Sequence, residues 1–295
     1  MTDKGQALSL SMLGLVGSGK TTYLVALWAI VKNADEDSPL ALRGPLPDAT
    51  AYLDQGAHRL LAGEAVRRTS YDTGEDVRLN LTLDSRPLVL NQLDVSGETI
   101  REAIAARALP RIVHERVAHS DGVLLFVHPD KVVQPFTIPE THVLAQAAGQ
   151  PPEDEHEDED EPLVPPDDDT VRRSAPTAVQ LVDLLQVAAR AADRRLPIAV
   201  VVSAWDEVES DDPHARPRAW LSAAMPLLAQ FLGNNADALP SEVFGVSAQG
   251  GDYEEAGVSE ALAQRAVPER VRTVGPEGSG NDLALPLRWL LRSRP

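Results

Sequence analysis

The chain has 295 residues, 27 Lys and Arg against 45 Asp and Glu, a formal net charge of −18, and no cysteine. Without cysteine there is no disulfide framework, thiolate metal site or cysteine nucleophile, and the expected setting is a reducing one, with the cytoplasm as default. The acidic balance argues against a nucleic-acid or anionic-membrane binder, since neutralising phosphates takes clustered Lys and Arg. The first residues, MTDKGQALSL, lack a basic region followed by a long apolar stretch, and no segment reaches the roughly 18 apolar residues that a membrane span needs.

The charge is concentrated. Eleven acidic residues and no Lys or Arg lie between Glu153 and Asp169, which leaves −7 for the rest of the chain. That stretch, PPEDEHEDEDEPLVPPDDD, combines like charges with prolines and cannot bury enough apolar surface to offset the entropy of ordering. Residues from about Pro129 to Ala175 therefore read as a long, largely disordered acidic insertion. The remainder reads as one domain over residues 1–295, with Leu, Val and Ala filling its core.

In chain order, Ala7 to Gly14 alternates and then becomes apolar, as a buried strand does, and stops at a glycine-rich turn. Thr21 to Val31 reads as an apolar helix. Asp48 to Gly63 follows as a second helix, with Leu53, Leu60 and Leu61 on its buried side. Val77 to Leu83 alternates strictly, Asp84 to Pro87 turns, and Leu88 to Val95 returns, which predicts a hairpin. A helix from about Glu98 to Leu109 leads to Gly122–His128, an apolar run of the kind buried in parallel sheets. Beyond the insertion come a helix (Thr177 to Ala192), a buried strand (Ile198 to Ser203), a helix (Arg218 to Leu232), a strand (Val243 to Ser247) and a last helix (Asp282 to Arg292). This order predicts an α/β fold: a mostly parallel six-stranded sheet with helices on both faces and one antiparallel strand. Trp28, Trp220 and Trp289 read as packing residues at helical spacings.

Gly14-Leu-Val-Gly17-Ser18-Gly19-Lys20-Thr21 matches G-x-x-x-x-G-K-[S/T] and lies where that motif works, after a buried strand and at the opening of a helix. Its amides surround an anion, Lys20 reaches β- and γ-phosphates, and the Thr21 hydroxyl suits Mg²⁺, with Thr22 next in the helix. One strand downstream, Asp94-Val-Ser-Gly97-Glu98 supplies D-x-x-G: Asp94 to hold Mg²⁺ through water, and the Gly97 amide to sense the γ-phosphate. Ser203-Ala-Trp205-Asp206 follows the strand IAVVV, and Ser247-Ala248-Gln249 follows the last strand.

Four loops in this order resemble the TRAFAC-class, Ras-like P-loop GTPases. The similarity is closest to the bacterial double-GTPase group, through G-S-G-K-T-T-Y-L, D-V-S-G-E, S-A-W-D and S-A-Q-G-G. The resemblance implies GTP and GDP as ligands with Mg²⁺. It also implies a protein partner, such as a second GTPase or another component of a bacterial conflict or signalling system, with nucleotide-dependent dimerisation as one route.

The Asp206 carboxylate can accept from guanine N1–H and N2–H₂, a donor pattern that adenine lacks; its other reading is a helix N-cap. Ser203 and Ala204 stand where the family carries Asn or Thr and then Lys, so Trp205 or the loop at 249–251 is needed to cover the base. Glu98 occupies the place of a water-orienting Gln and also fits as a first-turn Glu favoured by the helix dipole. The first-switch threonine, a ligand for Mg²⁺ and the γ-phosphate, is Thr69 or Thr73, with Thr69 preferred because the group shows R-T here. Arg67 or Arg68 is then placed to act as a built-in arginine finger or as surface charge. The expected activity is slow GTP hydrolysis coupled to a switch; the alternatives are a nucleotide-dependent interaction module without turnover and a P-loop ATPase or kinase. The seven histidines show no metal-ligand spacing along the sequence.

Overall fold

A computed structural model describes residues 7–35, 38–44, 50–66, 77–92, 111–135, 175–255 and 257–293. Nine strands form one sheet: β1 (Leu8–Gly14), β2 (Leu40–Leu42), β3 (Val77–Leu83), β4 (Arg86–Gln92), β5 (Gly122–Val127), β6 (Ile198–Ser203), β7 (Ser241–Ser247), β8 (Arg272–Gly275) and β9 (Gly278–Gly280), in the order β2-β3-β4-β1-β5-β6-β7-β8-β9. The five central strands, β4 through β7, are parallel, with Leu10 opposite Leu90 on one side and Gly122 on the other. Strands β3 and β8 run against them, and β2 and β9 pair antiparallel to those.

The sheet is therefore larger than the six strands expected, and it has two reversed strands rather than one. The three unforeseen strands are short. Leu40–Leu42 spans three residues, and Gly278–Gly280 is Gly-Ser-Gly, which carries no alternating side-chain pattern to read.

Side chains alternate across the sheet and feed two cores. On one face, Leu10, Met12, Leu124, Phe126 and Val201 pack against helix α1 (Lys20–Lys32), helix α2 (Thr50–Leu61) and a C-terminal helix. On the other, Val123, Leu125, Val127 and Val200 meet α3 (Arg111–Ala118) and α4 (Thr177–Ala192). Also on this second face lie α5 (Trp205–Asp211), α6 (Pro217–Ala224) and α7 (Pro226–Asn234). Two short helices follow, α8 (Val258–Ala263) and α9 (Val267–Arg270), before the last one, α10 (Leu285–Arg292).

Several boundaries differ from the sequence reading for identifiable reasons. The helix expected from Arg218 to Leu232 is two helices, because Pro226 has no N–H to continue the first and its ring constrains Met225, whose φ is −139° and ψ 61°. The hairpin turn is shorter than Asp84–Pro87: Asp84 and Ser85, at φ 49° and 63°, make the two-residue turn whose twist suits a hairpin, and Pro87 already lies in β4. Asp282 precedes α10 rather than belonging to it, and its Oδ1 accepts from the Ala284 amide at 3.0 Å. The expected helix Glu98–Leu109, and residues 136–174 of the acidic insertion, lie outside the described residues.

In α2 the buried side is Leu53, Gly56, Ala57 and Leu60, spaced by three and four, while Leu61 is 41% exposed and leaves the core. Leu60→Ala is accordingly expected to lower unfolding free energy by about 2–5 kcal/mol, and Leu61→Ala by no more than about 0.5 kcal/mol, in denaturant titrations. Trp28 is fully buried in α1, and its Nε1 donates to Asp54 Oδ1 of α2 at 2.9 Å.

Strand order switches at β1: on one side the chain comes inward from β2 through β3 to β4, and on the other it moves outward through β5, β6 and β7. The carboxyl ends of β1 and β5 therefore diverge into loops on opposite faces and leave a crevice, the place where open α/β sheets bind ligands.

Candidate functional site

That crevice is a cleft of about 270 Å³. One end is the turn between β1 and α1. The loop tightens through a Ser18 amide to Leu15 carbonyl bond of 3.3 Å, and α1 begins at Lys20 with no acidic residue in its first turn, so its amide-end partial charge faces the cleft without an internal counter-charge. Gly17, Ser18, Gly19, Lys20, Thr21 and Thr22 all line the cleft. Gly14 does not; its carbonyl accepts from Lys20 Nζ at 2.7 Å, beside Leu15 O at 2.8 Å and Ser18 Oγ at 3.2 Å. The ammonium is thus held over the loop by the loop's own oxygens.

Gly19 shows why this turn and the loop after β6 are one unit. It has φ +88°, and a Cβ there would lie 2.6 Å from Ser203 Cβ. Ser203 Oγ lies 3.0 Å from Ser18 O and 3.2 Å from Val127 O, sharing its one proton between two carbonyls. Ser203 therefore ties together the ends of β1, β5 and β6. Ala204 follows at φ 46° and ψ 46°, a left-handed conformation that costs a non-glycine residue roughly 1–2 kcal/mol. It turns the chain so that Asp206 enters the cleft.

Ser247, itself 1% exposed at the end of β7, donates a short hydrogen bond from Oγ to Asp206 Oδ1. Ala248 and Gln249 line the same wall, and Gln249 Nε2 donates to Gly251 O at 2.9 Å. Ser247 is thus a support for Asp206 rather than part of the lining.

Trp205 is a correction. Offered with the 249–251 loop as a candidate to cover a base, it is fully buried in the second core, away from the cleft lining, with Gly245 of β7 making room: a Cβ there would lie 2.1 Å from the indole Cδ2. Of the two candidates for covering a base, only Gln249 and the loop it opens border the cleft. Thr69, Thr73, Arg67, Arg68, Asp94, Gly97 and Glu98 lie outside the described residues.

Among the lining residues that the sequence did not single out are His128, Glu207 and Asp252. Burial pushes the Glu207 carboxyl up to about 7, and the negative charges of Asp130, Asp206 and Asp252 push the same way. Burial also pushes the His128 imidazole down from its ordinary value. The cleft is therefore polarised, with a cation and helix amides at one end and carboxylates at the other.

The shift gives a signed pH effect. The folded protein keeps the Glu207 proton between 4.5 and about 7 while the unfolded chain releases it, so stability falls as pH rises through that window. With EDTA present to keep cations off the carboxylates, Glu207→Gln is expected to match the wild type in melting temperature at pH 4 and to exceed it above pH 7.

Comparison with known proteins decides the family. The family description Double-GTPase 1 matches residues 11–290. The chain belongs to the Double-GTPase 1 family. The P-loop, the Asp206 loop and the Ser247–Gln249 loop of this double GTPase all fall inside the matched range. Among solved structures, it is similar to the signal recognition particle receptor SRb-GTP/SRX complex from Chaetomium thermophilum. That likeness is 13% identity with a TM-score of 0.39, covering 88% of this chain and 96% of the other. No curated protein matches the sequence. Among the described residues no helix is long and apolar enough to cross a membrane.

Proposed function

We propose that this double GTPase binds GTP and GDP in the cleft, hydrolyses GTP slowly, and uses the difference between the two states to signal to a protein partner. The observation that carries the reading is the polarity of one continuous cleft. Lys20 and the first amides of α1 suit the triphosphate, and a Ser247-braced Asp206 at the other end suits the N1–H and N2–H₂ donors of guanine. Adenine sets a single donor, N6–H₂, beside the N1 acceptor, so it lacks the pair of donors that a carboxylate accepts from.

The residues fit Mg²⁺ as well, since Thr21 places a hydroxyl in the cleft beside Lys20. Thr21, with Asp94 and Thr69 from outside the described residues, would hold the ion, which supplies charge neutralisation on the β- and γ-phosphates. Lys20 takes up charge developing toward the leaving oxygens, the loop amides hold the β-phosphate in line, and Gly97 and Glu98 orient the γ-phosphate and the attacking water. A carboxylate at Glu98 repels the γ-phosphate, which is the reason for slow turnover. The fold is read as one GTPase domain carrying the acidic insertion, and the partner as a second GTPase or another component of a bacterial conflict or signalling system.

The test is a titration of purified protein with labelled GTP and ATP, followed by single-turnover phosphate release. GTP-selective binding with slow, Mg²⁺-dependent release is expected. Tight ATP binding without GTP binding overturns the base assignment, and GTP binding without release leaves a nucleotide-dependent interaction module.

A further inference from the structure

Beside Asp206, the rim of the cleft contains a cluster that the nucleotide reading does not use. His128 follows β5, Asp130 sits in the single 3₁₀ turn Pro129–Lys131, and Glu207 lies in the first turn of α5. One ligand atom from each lies within 4.8 Å of the other two. Residues far apart in the sequence are brought together because β5 and β6 are neighbours whose carboxyl ends open side by side.

Two further observations point to a cation there. Glu207 Oε2 is shut off from water and has no hydrogen-bond partner among the described residues. The polar neighbour of this carboxyl is a second carboxyl, Asp130, rather than an N–H donor, an arrangement that favours a positive ion between the two. The imidazole also has a lone pair to offer: the Asp130 amide donates to His128 Nδ1 over a long 3.3 Å, which marks Nδ1 as the unprotonated nitrogen. This contact caps the Pro129–Lys131 turn, and an ion at Nδ1 takes its place.

We propose that His128, Asp130 and Glu207 form a binding site for a divalent transition-metal cation of the Zn²⁺ class. One imidazole and two carboxylates suit Zn²⁺ better than Mg²⁺ or Ca²⁺, which favour all-oxygen shells. Three protein ligands leave a fourth position for water. Donors about 2.0–2.1 Å from a tetrahedral ion lie roughly 3.4 Å from one another, inside the 4.8 Å that bounds this cluster. The ion then clamps the helix whose second residue is Asp206 and offsets the carboxylates crowded around it. This site is distinct from the Mg²⁺ position at Thr21, and it does not depend on the identity of the nucleotide.

The experiment uses the untagged full chain without nucleotide, competed for Zn²⁺ against a chromophoric chelator. Wild type is expected to bind one Zn²⁺ per chain at micromolar concentration or tighter. Asp130→Asn and His128→Ala are each expected to weaken binding by about tenfold or more, and His119→Ala, at the exposed residue just past α3, to leave it unchanged. Co²⁺ added in place of Zn²⁺ should give visible absorption that Asp130→Asn loses. Circular dichroism melting confirms that each variant is folded, and Asp130, being exposed, is the variant least able to disturb the fold. Absence of stoichiometric binding by the wild type overturns the proposal. So does equal affinity in folded Asp130→Asn and His128→Ala, which would place the ion elsewhere. Failure of GTP binding alone leaves the metal site standing.

Discussion

Asp206→Asn is expected to lower GTP affinity by about 100-fold while raising affinity for xanthosine triphosphate. The carboxylate has two acceptor oxygens, one braced by Ser247, and guanine presents two adjacent donors to it. An amide keeps one acceptor and turns the other position into a donor, which opposes the guanine N2–H₂ group and complements the C2 carbonyl of xanthine. Hydrogen bonds to a charged group contribute about 1.5–3 kcal/mol each, so losing one and creating a donor clash gives the stated size. Equilibrium titration with fluorescent GTP and xanthosine triphosphate checks it. Unaltered GTP affinity would mean that the base does not sit at Asp206; the helix-cap reading is no substitute, since Ala204 is the N-cap of α5 and no side chain caps it.

Lys20→Ala is expected to weaken GTP binding by about 100-fold or more, through lost charge-assisted bonds to the β- and γ-phosphates, and to reduce phosphate release to background. GMP has no β- or γ-phosphate, so its affinity should change by no more than about threefold. The pairing is diagnostic: Asp206→Asn should weaken GMP and GTP alike, whereas Lys20→Ala should spare GMP. The Lys20 ammonium also bonds to Gly14 O and Leu15 O, so the variant should show faster hydrogen exchange across the β1–α1 turn. Equal losses for GTP and GMP would show that the lysine acts by holding the loop and not by touching phosphate.

The legible part of the site was the part whose loops each follow a long apolar strand. Runs such as Leu8–Gly14, Gly122–Val127 and Ile198–Ser203 can only be buried in a sheet covered on both faces, so the residues just after them converge at one sheet edge. That logic placed Lys20, Ser203, Asp206 and Ser247 near one another. Strand number was less legible, because β2 and β9 are three residues long and make their bonds through the backbone. Trp205 was misplaced for another reason. An aromatic beside an Asp expected to read a base suggests stacking, and its true neighbour, Gly245, is an unremarkable glycine within a strand until the sheet register sets it opposite Val202. His128 and Glu207 carry no spacing signal at all; only the pairing of β5 with β6 makes them neighbours. Leu61 failed through a single step of helical phase, one residue past the buried Leu60.

One consequence of the parallel centre is practical. Loops at the carboxyl ends of β1, β5, β6 and β7 border the cleft, so the amino ends lie on the opposite edge of the sheet, the length of a strand away. Ala236 is exposed there, in the connection that leads into β7. Because the chain has no cysteine, Ala236→Cys creates a unique thiol. A dye or surface tether attached at that point leaves the nucleotide rim clear, so partner capture and nucleotide exchange can be followed on the same immobilised molecule.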